Sequence, residues 1–345
     1  MTFPFNVNKV ALIKGDTLVW VKFIFCIVII FFSGRRVARY GNIIAGKTGL
    51  GGVWIGLILL ALVTSLPELF TGISAIILVG VPDLTIGNLF GANAFNLLNL
   101  ALLDIVYHNG WLLRAVSPTQ RQTGWFSLAL VVVAAVSIFV SSRFSTMGIG
   151  WIGWYTPVII LSYLVFMRII LRSERRQSRQ QEAEVDYGEM PLGRVYLYFA
   201  VSAAFIIGAG IWLAIIGGEI AGVTGWGASF VGSLFLAFTT SLPEITVSLA
   251  AMRMGAVDLA VANMIGSNLF NMTIIGIDDL VYLKGPVLSA VSESNLLIAL
   301  VVMVMTLVFI IGLHFKPRRF FRLSWWNCAL IGLFLSGAYF SFILA

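Results

Sequence analysis

The stretch ALVTSLPELF at Ala61–Phe70 returns as AFTTSLPEIT at Ala237–Thr246. Further along each half, GNLFGANAFN at Gly87–Asn96 returns as ANMIGSNLFN at Ala262–Asn271. The copies are 176 residues apart at the glutamate and 175 residues apart at the last asparagine. Two blocks that recur in the same order predict a chain built from two copies of one structural unit.

The composition places both copies in a membrane. Hydrophobic residues make up 59% of the chain, charged residues make up 11%, and the mean hydropathy is +0.99. A soluble protein of this size needs more polar surface. The apolar segments are near the roughly 20 residues that a membrane-spanning helix requires, and they lack the alternation of barrel strands. We therefore predict an all-α membrane protein with about ten transmembrane helices. The predicted spans are 16–34, 50–80, 83–107, 123–142, 150–171, 193–217, 226–252, 256–283, 292–314 and 323–344.

Five predicted spans fall in each half, so the second copy enters the membrane from the opposite face. This predicts two inverted-topology five-helix repeats, at residues 1–172 and 193–345. The polar stretch 173–192 carries charges of both signs and predicts a cytoplasmic linker. With the N-terminus outside, 17 of the 22 lysines and arginines face inward, so we predict that both termini lie outside. The net charge of +7 then reflects membrane topology, and we expect no nucleic-acid partner.

Each TSLPE block places a proline in the middle of a predicted span. Pro67 and Pro243 each remove one backbone hydrogen-bond donor, at a cost of roughly 3 kcal/mol. We therefore predict that helices 2 and 7 are broken at the centre of the protein, where open backbone is tolerated if it lines a cavity. The hydroxyl groups beside these breaks are candidate cation ligands: Thr64, Ser65, Thr240 and Ser241.

Glu68 and Glu244 follow the two prolines. A charged carboxylate at mid-membrane costs at least roughly 2.5–3.5 kcal/mol, and no basic residue lies deep in the spans that carry the motifs. Two facing carboxylates repel each other unless a cation or a proton lies between them. A charge of −2 and hard oxygen ligands suit Ca²⁺, so we predict a metal site between Glu68 and Glu244. We predict no cofactor and no catalytic residue.

The second block adds neutral side chains on one stripe of each helix, since positions i, i+4 and i+8 share a face. We expect Asn96, Asn271 and Ser267 to line the cation site. Asn88 and Asn263 fit either that site or hydrogen bonds between helices. The small residues in these blocks, Ala262 and Gly266 among them, predict close helix packing.

Three aspartates follow the asparagines by roughly 10–12 Å along the helix axis. We interpret Asp104, Asp278 and Asp279 as solvated helix ends. Asp278 shares a helix face with Asn271, so it is also a secondary candidate for an ion-attracting vestibule.

The four blocks together resemble the sodium/calcium exchanger family, within the cation/calcium antiporter superfamily. That family carries G-T-S-[LV]-P-[ED] and G-N-x-x-G-S-N-x-x-[ND] blocks in both repeats, and the resemblance covers essentially the whole chain. It implies a transporter rather than an enzyme, with alternating access and Ca²⁺ coordinated by Glu68 and Glu244. It also implies that neighbouring hydroxyls and carbonyls serve Na⁺. Ala92 departs from the family serine, so one Na⁺ site is weakened or absent.

We therefore expect exchange of Ca²⁺ against Na⁺, with lipid and inorganic cations as partners. Because Ala92 offers no side-chain oxygen, H⁺-driven exchange of Ca²⁺ or of another divalent cation stays open as an alternative. A passive cation channel fits less well, since it needs no inverted repeat and no broken helices. The short chain without a large regulatory loop favours a prokaryotic plasma membrane, and the sequence does not indicate whether the chain forms homo-oligomers.

Overall fold

The computed structural model describes residues 7–108, 110–143, 148–178, 190–224, 236–315 and 324–344. These segments form an all-α membrane protein, as predicted, apart from a hairpin of two short strands. Its helices are α1 (Val7–Thr48), α2 (Gly52–Val79), α3 (Pro82–Val106), α4 (Leu112–Ala115), α5 (Thr119–Arg143), α6 (Tyr155–Ser178), α7 (Leu192–Thr224), α8 (Leu236–Thr240), α9 (Leu242–Arg253), α10 (Val257–Val281), α11 (Asn295–Phe315) and α12 (Trp325–Leu344). The hairpin pairs β1 (Gly148–Ile149) with β2 (Ile152–Gly153), and a short 3₁₀ turn covers Val287–Ala290.

In the part of the chain that the structure describes, eight helices are long and apolar enough to cross a membrane. They match eight of the predicted spans. Of the remaining two, the span at 323–344 corresponds to the 20-residue helix α12, and the span at 226–252 lies partly outside the described residues. The count of ten and the inverted relation between the halves stay predictions. Within the predicted linker, α6 continues to Ser178, and residues 179–189 lie outside the described residues.

Helix α1 continues well past its predicted end at residue 34. Arg35, Arg36 and Arg39 therefore lie on a helical extension rather than on a loop. Together with Arg253, at the end of α9, they line one groove. Arginines from two distant segments thus lie at the same end of the molecule.

The predicted break at Pro67 is wrong, because α2 is helical without interruption from Ala61 to Ser74. A proline removes only one intrahelical hydrogen bond, and the close packing of α2 against α10 outweighs that loss. In the second copy the helix is interrupted at Ser241, between α8 and α9. Pro243 then lies in the first turn of α9, where its missing N–H would be unbonded in any case.

Helices α2 and α10 approach each other closely through small residues, which confirms the predicted role of Ala262 and Gly266. A Cβ atom on Gly266 would lie 2.6 Å from the Cα of Leu57. A Cβ atom on Gly56 would lie 2.7 Å from the Cβ of Ala262. Almost all of α10 is buried, so the second asparagine block lies in the core of the molecule.

The aspartates near the helix ends are buried, so their interpretation as solvated ends is wrong. Asp104 accepts a hydrogen bond from the backbone N–H of Leu112 at 2.8 Å, and Asp279 accepts one from Val287 at 2.6 Å. In each case the donor lies eight residues further along the chain. The chain that follows each helix folds back over the carboxylate and shields it from solvent. Asp278 accepts no such hydrogen bond from the residues that the structure describes.

Two further aspartates link the halves of the chain. Asp83, in the first turn of α3, accepts a hydrogen bond from the N–H of Ser292 at 2.7 Å. Asp258, in the first turn of α10, accepts one from the N–H of Ser117 at 2.7 Å. Both pairs are related by the offset of 175 residues found in the sequence. Each half therefore holds the chain that precedes a helix of the other half.

Candidate cation site

The structure brings the two motif glutamates together at buried positions. Glu68 in α2 is 1% exposed, and Glu244 in α9 is 0% exposed. Their carboxylates are close enough to interact electrostatically. Among the residues that the structure describes, neither carboxylate has a lysine or arginine within ion-pair distance. A buried pair of acids without a fixed counter-charge needs a mobile cation or a proton.

Hydroxyl groups from both halves surround one oxygen of Glu244. Its Oε1 accepts hydrogen bonds from Ser65 at 3.1 Å and from Ser267 at 3.3 Å. The hydroxyl of Thr64 lies 3.3 Å from that of Ser267 and joins the cluster. Glu244 also lies in the first turn of α9, where the helix dipole favours a negative charge. Its other oxygen, Oε2, is buried and has no hydrogen-bond partner in the described segments.

Glu68 lacks most of this support. The repeat counterparts of the two serines around Glu244 are Ser241 and Ala92. The Ser241 hydroxyl is buried and has no hydrogen-bond partner within the described ranges, and Ala92 has no hydroxyl. The hydroxyl of Thr240 lies beside the Glu68 carboxylate, whose Oε2 is again without a partner. The two carboxylates of the site are therefore chemically unequal.

Asn96 and Asn271 are oriented by two asparagines that the sequence analysis missed. The Asn96 amide donates to Oδ1 of Asn268 at 3.0 Å, and the Asn271 amide donates to Oδ1 of Asn93 at 3.0 Å. Asn93 and Asn268 also donate to each other's backbone carbonyl at 3.3 Å. Because each amide NH₂ binds the opposite copy, Oδ1 of Asn96 and of Asn271 is left buried without a partner. The signal for Asn93 and Asn268 was their recurrence at the repeat offset.

The secondary candidates behave differently from each other. Asn263 donates to Ser248 at 3.0 Å and to the backbone carbonyl of Glu244 at 3.3 Å, so it connects α9 and α10. Its counterpart Asn88 is buried with both amide atoms lacking partners in the described part of the chain. Gly72 stands where the second copy has Ser248, so Asn88 has no equivalent hydroxyl to bind.

The site therefore contains buried oxygens that no donor among the described residues satisfies. They are Oε2 of Glu68, Oε2 of Glu244, Oδ1 of Asn96, Oδ1 of Asn271 and Oγ of Ser241. Asn271 follows Ser267 by one turn of α10, so it shares the face that contacts Glu244. Buried polar atoms are hydrogen-bonded in the great majority of cases, so such a group needs an explanation. A cation would supply it, since Ca²⁺ takes six to eight oxygen ligands from carboxylates, amides and water.

Comparison with known proteins identifies the family. A sequence profile described as "Sodium/calcium exchanger protein" matches residues 18–172 and 194–344. The chain belongs to the sodium/calcium exchanger family. Members of this family are ion transporters rather than enzymes, and the resemblance inferred from the four sequence blocks is confirmed.

Relatives of this exchanger are found among bacterial membrane proteins. Inner membrane protein YrbG of Escherichia coli (strain K12) is 24% identical over 257 residues, which cover 72% of this chain and 75% of YrbG. The putative antiporter CaxA of Alkalimonas amylolytica is 25% identical over 260 residues, with coverage of 74% and 78%. The solved structure of the sodium-calcium exchanger NCX_Mj matches with a TM-score of 0.70 at 20% identity, over 94% of this chain and 98% of NCX_Mj. The fold is thus that of a multi-pass integral membrane exchanger.

Proposed function

We propose that this exchanger is a secondary active antiporter that moves Ca²⁺ against Na⁺ by alternating access, with Ca²⁺ held between Glu68 and Glu244. The proposal depends on one observation, the buried oxygens that lack hydrogen-bond partners and include one from each glutamate. Their two negative charges match a divalent cation, and their oxygen chemistry matches a hard one. The description of CaxA as a putative antiporter and of NCX_Mj as a sodium-calcium exchanger supports the same conclusion.

The hydroxyl groups around Glu244 suit Na⁺, the second ion of the proposed exchange. A hydroxyl that donates its hydrogen to a carboxylate keeps lone pairs that a cation can use. The hydroxyls of Ser65 and Ser267 both donate to Glu244 in this way. Na⁺ bound there would neutralise a carboxylate that Ca²⁺ also needs. One ion must then leave before the other is held, which is the requirement for exchange.

The predicted topology gives the exchange a direction. Both termini are predicted to lie outside, and the arginine groove at the end of α9 then faces the cytoplasm. In a prokaryotic plasma membrane an inward Na⁺ gradient would drive Ca²⁺ out of the cell.

A second candidate is exchange driven by H⁺. The observation in its favour is the sparse environment of Glu68, where Ala92 replaces the hydroxyl that Ser267 supplies to Glu244. A proton on Glu68 needs no ring of oxygen ligands, so it could replace Na⁺ as the driving ion.

Flux measurements in inverted vesicles separate these candidates. Radioactive Ca²⁺ uptake is followed while a Na⁺ gradient and a pH gradient are imposed separately. We expect accumulation of Ca²⁺ driven by Na⁺. Uptake that follows the pH gradient and ignores Na⁺ would establish H⁺ as the driving ion instead. Flux that never accumulates Ca²⁺ against its gradient would indicate a channel and overturn the antiporter.

The site itself is tested by Glu68→Gln and Glu244→Gln. Each change removes one of two buried charges, and the loss of one member of such a set costs about 2–5 kcal/mol. We therefore expect Ca²⁺ affinity to fall at least about 30-fold, since 1.4 kcal/mol is a factor of ten. Glu293→Gln is the matched control, because Glu293 is exposed and pairs with Arg143 at 3.5 Å. Parental transport by both site variants would show that the ion binds elsewhere.

A further inference from the structure

Asp278 is a buried acid that the proposed cation cycle does not use. It is 0% exposed, and neither of its carboxylate oxygens has a hydrogen-bond partner among the residues that the structure describes. The next residue, Asp279, accepts hydrogen bonds from the hydroxyls of Tyr155 and Thr156 and from two backbone N–H groups. Donors are thus available at this end of α10, and the Asp278 side chain points away from them.

The described residues around Asp278 offer its carboxylate no hydrogen-bond donor. The carboxylate packs on Gly72 of α2, where a Cβ atom would lie 2.8 Å from Oδ2 of Asp278. Thr85 of α3 presents its methyl group to the same point, 3.0 Å from that Cβ position. Its hydroxyl donates to the Gly72 carbonyl at 3.2 Å and is not directed at Asp278.

No cation compensates Asp278 within the described part of the chain. Arg143 at the end of α5 pairs with Glu293 at the surface, and Tyr155 of α6 is bonded to Asp279. None of the charged or titratable groups on the neighbouring elements is within hydrogen-bond or ion-pair distance of Asp278. Those on the same half of these helices as Asp278 are Glu68 on α2, Asp83 on α3, Arg143 on α5, Tyr155 and Tyr163 on α6, and Asp279 on α10 itself. The others lie toward the opposite ends of their helices: Asp104, Arg121, Arg168, Arg172, Glu174 and Asp258.

A carboxylate enclosed in this way is far less stable than the neutral acid, because nothing replaces the water lost on burial. A proton is also the cation that such a position can hold, since Na⁺ would require several further oxygens around it. We propose that Asp278 binds a proton that it exchanges with the outer face of the membrane, and that cation exchange depends on outer pH through this residue.

Asp278 lies between the central cation site and the end of α10 that is predicted to face outward. Gly72, which it contacts, follows Glu68 by one turn of α2, about 6 Å along the axis. Asp278 shares a face of α10 with Asn271 and lies toward the C-terminal end of that helix. The predicted topology puts this end on the outer side. Asn88, one turn after Thr85 in α3, adds a further buried and unpartnered polar group.

The two copies differ at this position. The repeat counterpart of Asp278 is Leu103, and the counterpart of Gly72 is Ser248. Asp104 and Asp279, by contrast, occur in both copies and both anchor the chain that follows their helix. A scaffold role would be expected in both copies, so the single occurrence of Asp278 favours a role on one route. We therefore expect a dependence on outer pH that inner pH does not share.

Infrared difference spectroscopy on the purified full-length protein tests protonation directly. We expect a carboxylic-acid band at neutral pH that Asp278→Asn removes and that Glu293→Gln keeps. Identical spectra for the parent and Asp278→Asn would show that the residue is ionised and would overturn the proposal. Loss of the band on addition of Na⁺ at constant pH would identify Na⁺ as its ligand and would also overturn it.

Proteoliposomes with outer and inner pH set separately test the link to transport. We expect the rate of Ca²⁺ exchange to change several-fold with outer pH in the parent. Asp278→Asn should remove this dependence, and so should Asp278→Leu, which installs the residue of the other copy. Retention of the parental outer-pH profile by both variants would overturn the proposal.

This inference rests on the proposed function only in assuming that the protein exchanges cations. Loss of the Ca²⁺ site in Glu68→Gln leaves the infrared band of Asp278 in place, so the two failures are distinguishable.

Discussion

Replacing Ser65 and Ser241 by alanine, one at a time, tests whether the two carboxylates of the site are unequal. Ser65 donates to Oε1 of Glu244 at 3.1 Å, whereas the buried hydroxyl of Ser241 has no partner. Ser65→Ala therefore removes a hydrogen bond to a charged group, which contributes about 1.5–3 kcal/mol. The distance is long for a bond of this type, so we expect a loss near the lower value, about 1.5 kcal/mol. Ser241→Ala removes no hydrogen bond, so we expect a change below about 0.5 kcal/mol.

Thermal unfolding in detergent, followed by tryptophan fluorescence in the presence of a chelator, measures this difference. We expect Ser65→Ala to unfold roughly 2–4 °C below the parent and Ser241→Ala to unfold with it. Ca²⁺ is then added, and the stability that each protein gains is compared. The parent should gain stability as the ion binds the folded state, and Ser241→Ala should gain less because it has lost an unpartnered oxygen.

Two results would refute the reasoning. Equal destabilisation of both variants without cation would mean that Ser241 is bonded in the same way as Ser65, and that the carboxylates have equivalent surroundings. An equal Ca²⁺-induced shift in the parent and in Ser241→Ala would remove Ser241 from the ligand set, even if the chelator experiment succeeds.

Two further changes test the scaffold around the site. Asn93→Leu leaves the amide of Asn271 without its acceptor, at a cost of about 1–3 kcal/mol. Titration calorimetry should then show Ca²⁺ affinity reduced about tenfold, although no predicted ligand is lost. Parental affinity would contradict the orienting role of Asn93. Gly266→Ala puts a Cβ atom 2.6 Å from the Cα of Leu57, so we expect a loss of about 1–3 kcal/mol in thermal stability. Gly208→Ala is the control, because its added Cβ atom would meet no packed neighbour in the described part of the chain within 4 Å. Equal stability of both variants would mean that α2 and α10 separate without cost.

The candidate site was predictable from the sequence where its chemistry recurs. Glu68 and Glu244 stand out because a mid-membrane acid is costly, no basic residue accompanies them, and the same motif surrounds both. The structure places the two carboxylates within electrostatic range and brings Ser65 and Ser267 onto one oxygen of Glu244. Repetition within one chain thus replaced the information that related sequences would have given.

The course of the helix around each proline could not be predicted in the same way. Pro67 and Pro243 lie in the same TSLPE motif, yet α2 is continuous and its counterpart is interrupted at Ser241. The motif itself therefore does not account for the difference, and tertiary contacts routinely override local propensity. The contact between Gly56 and Ala262 holds α2 in place, and no reading of the motif alone reveals it.

Burial of the aspartates depended on chain segments beyond the helices. The helical rise correctly put Asp104 and Asp279 near helix ends, but solvent exposure depends on what covers an end. The segments containing Leu112 and Val287 fold back and donate to these carboxylates. Asn93 was not predicted as a site residue, because a stripe at i, i+4 and i+8 describes only one helix face. Asn93 lies on a different face, which contacts the other copy.

The two copies share their scaffold and differ in their ion chemistry. The hydrogen bonds that recur at the repeat offset join an amide N–H group to a carboxylate, amide or carbonyl oxygen, as between Asn93 and Asn268, and they fix helix positions.

Three of the positions that differ lie at or beside carboxylates, where Ala92 replaces Ser267, Gly72 replaces Ser248 and Leu103 replaces Asp278 in the first copy. If the repeats are inverted, identical copies would present the same chemistry to both faces of the membrane. Three side-chain differences are then sufficient to make the two access routes unequal without any change of fold. An exchanger of this design can thus acquire a preferred ion on one side of the membrane by substitution in one copy, while the other copy preserves the geometry of the centre.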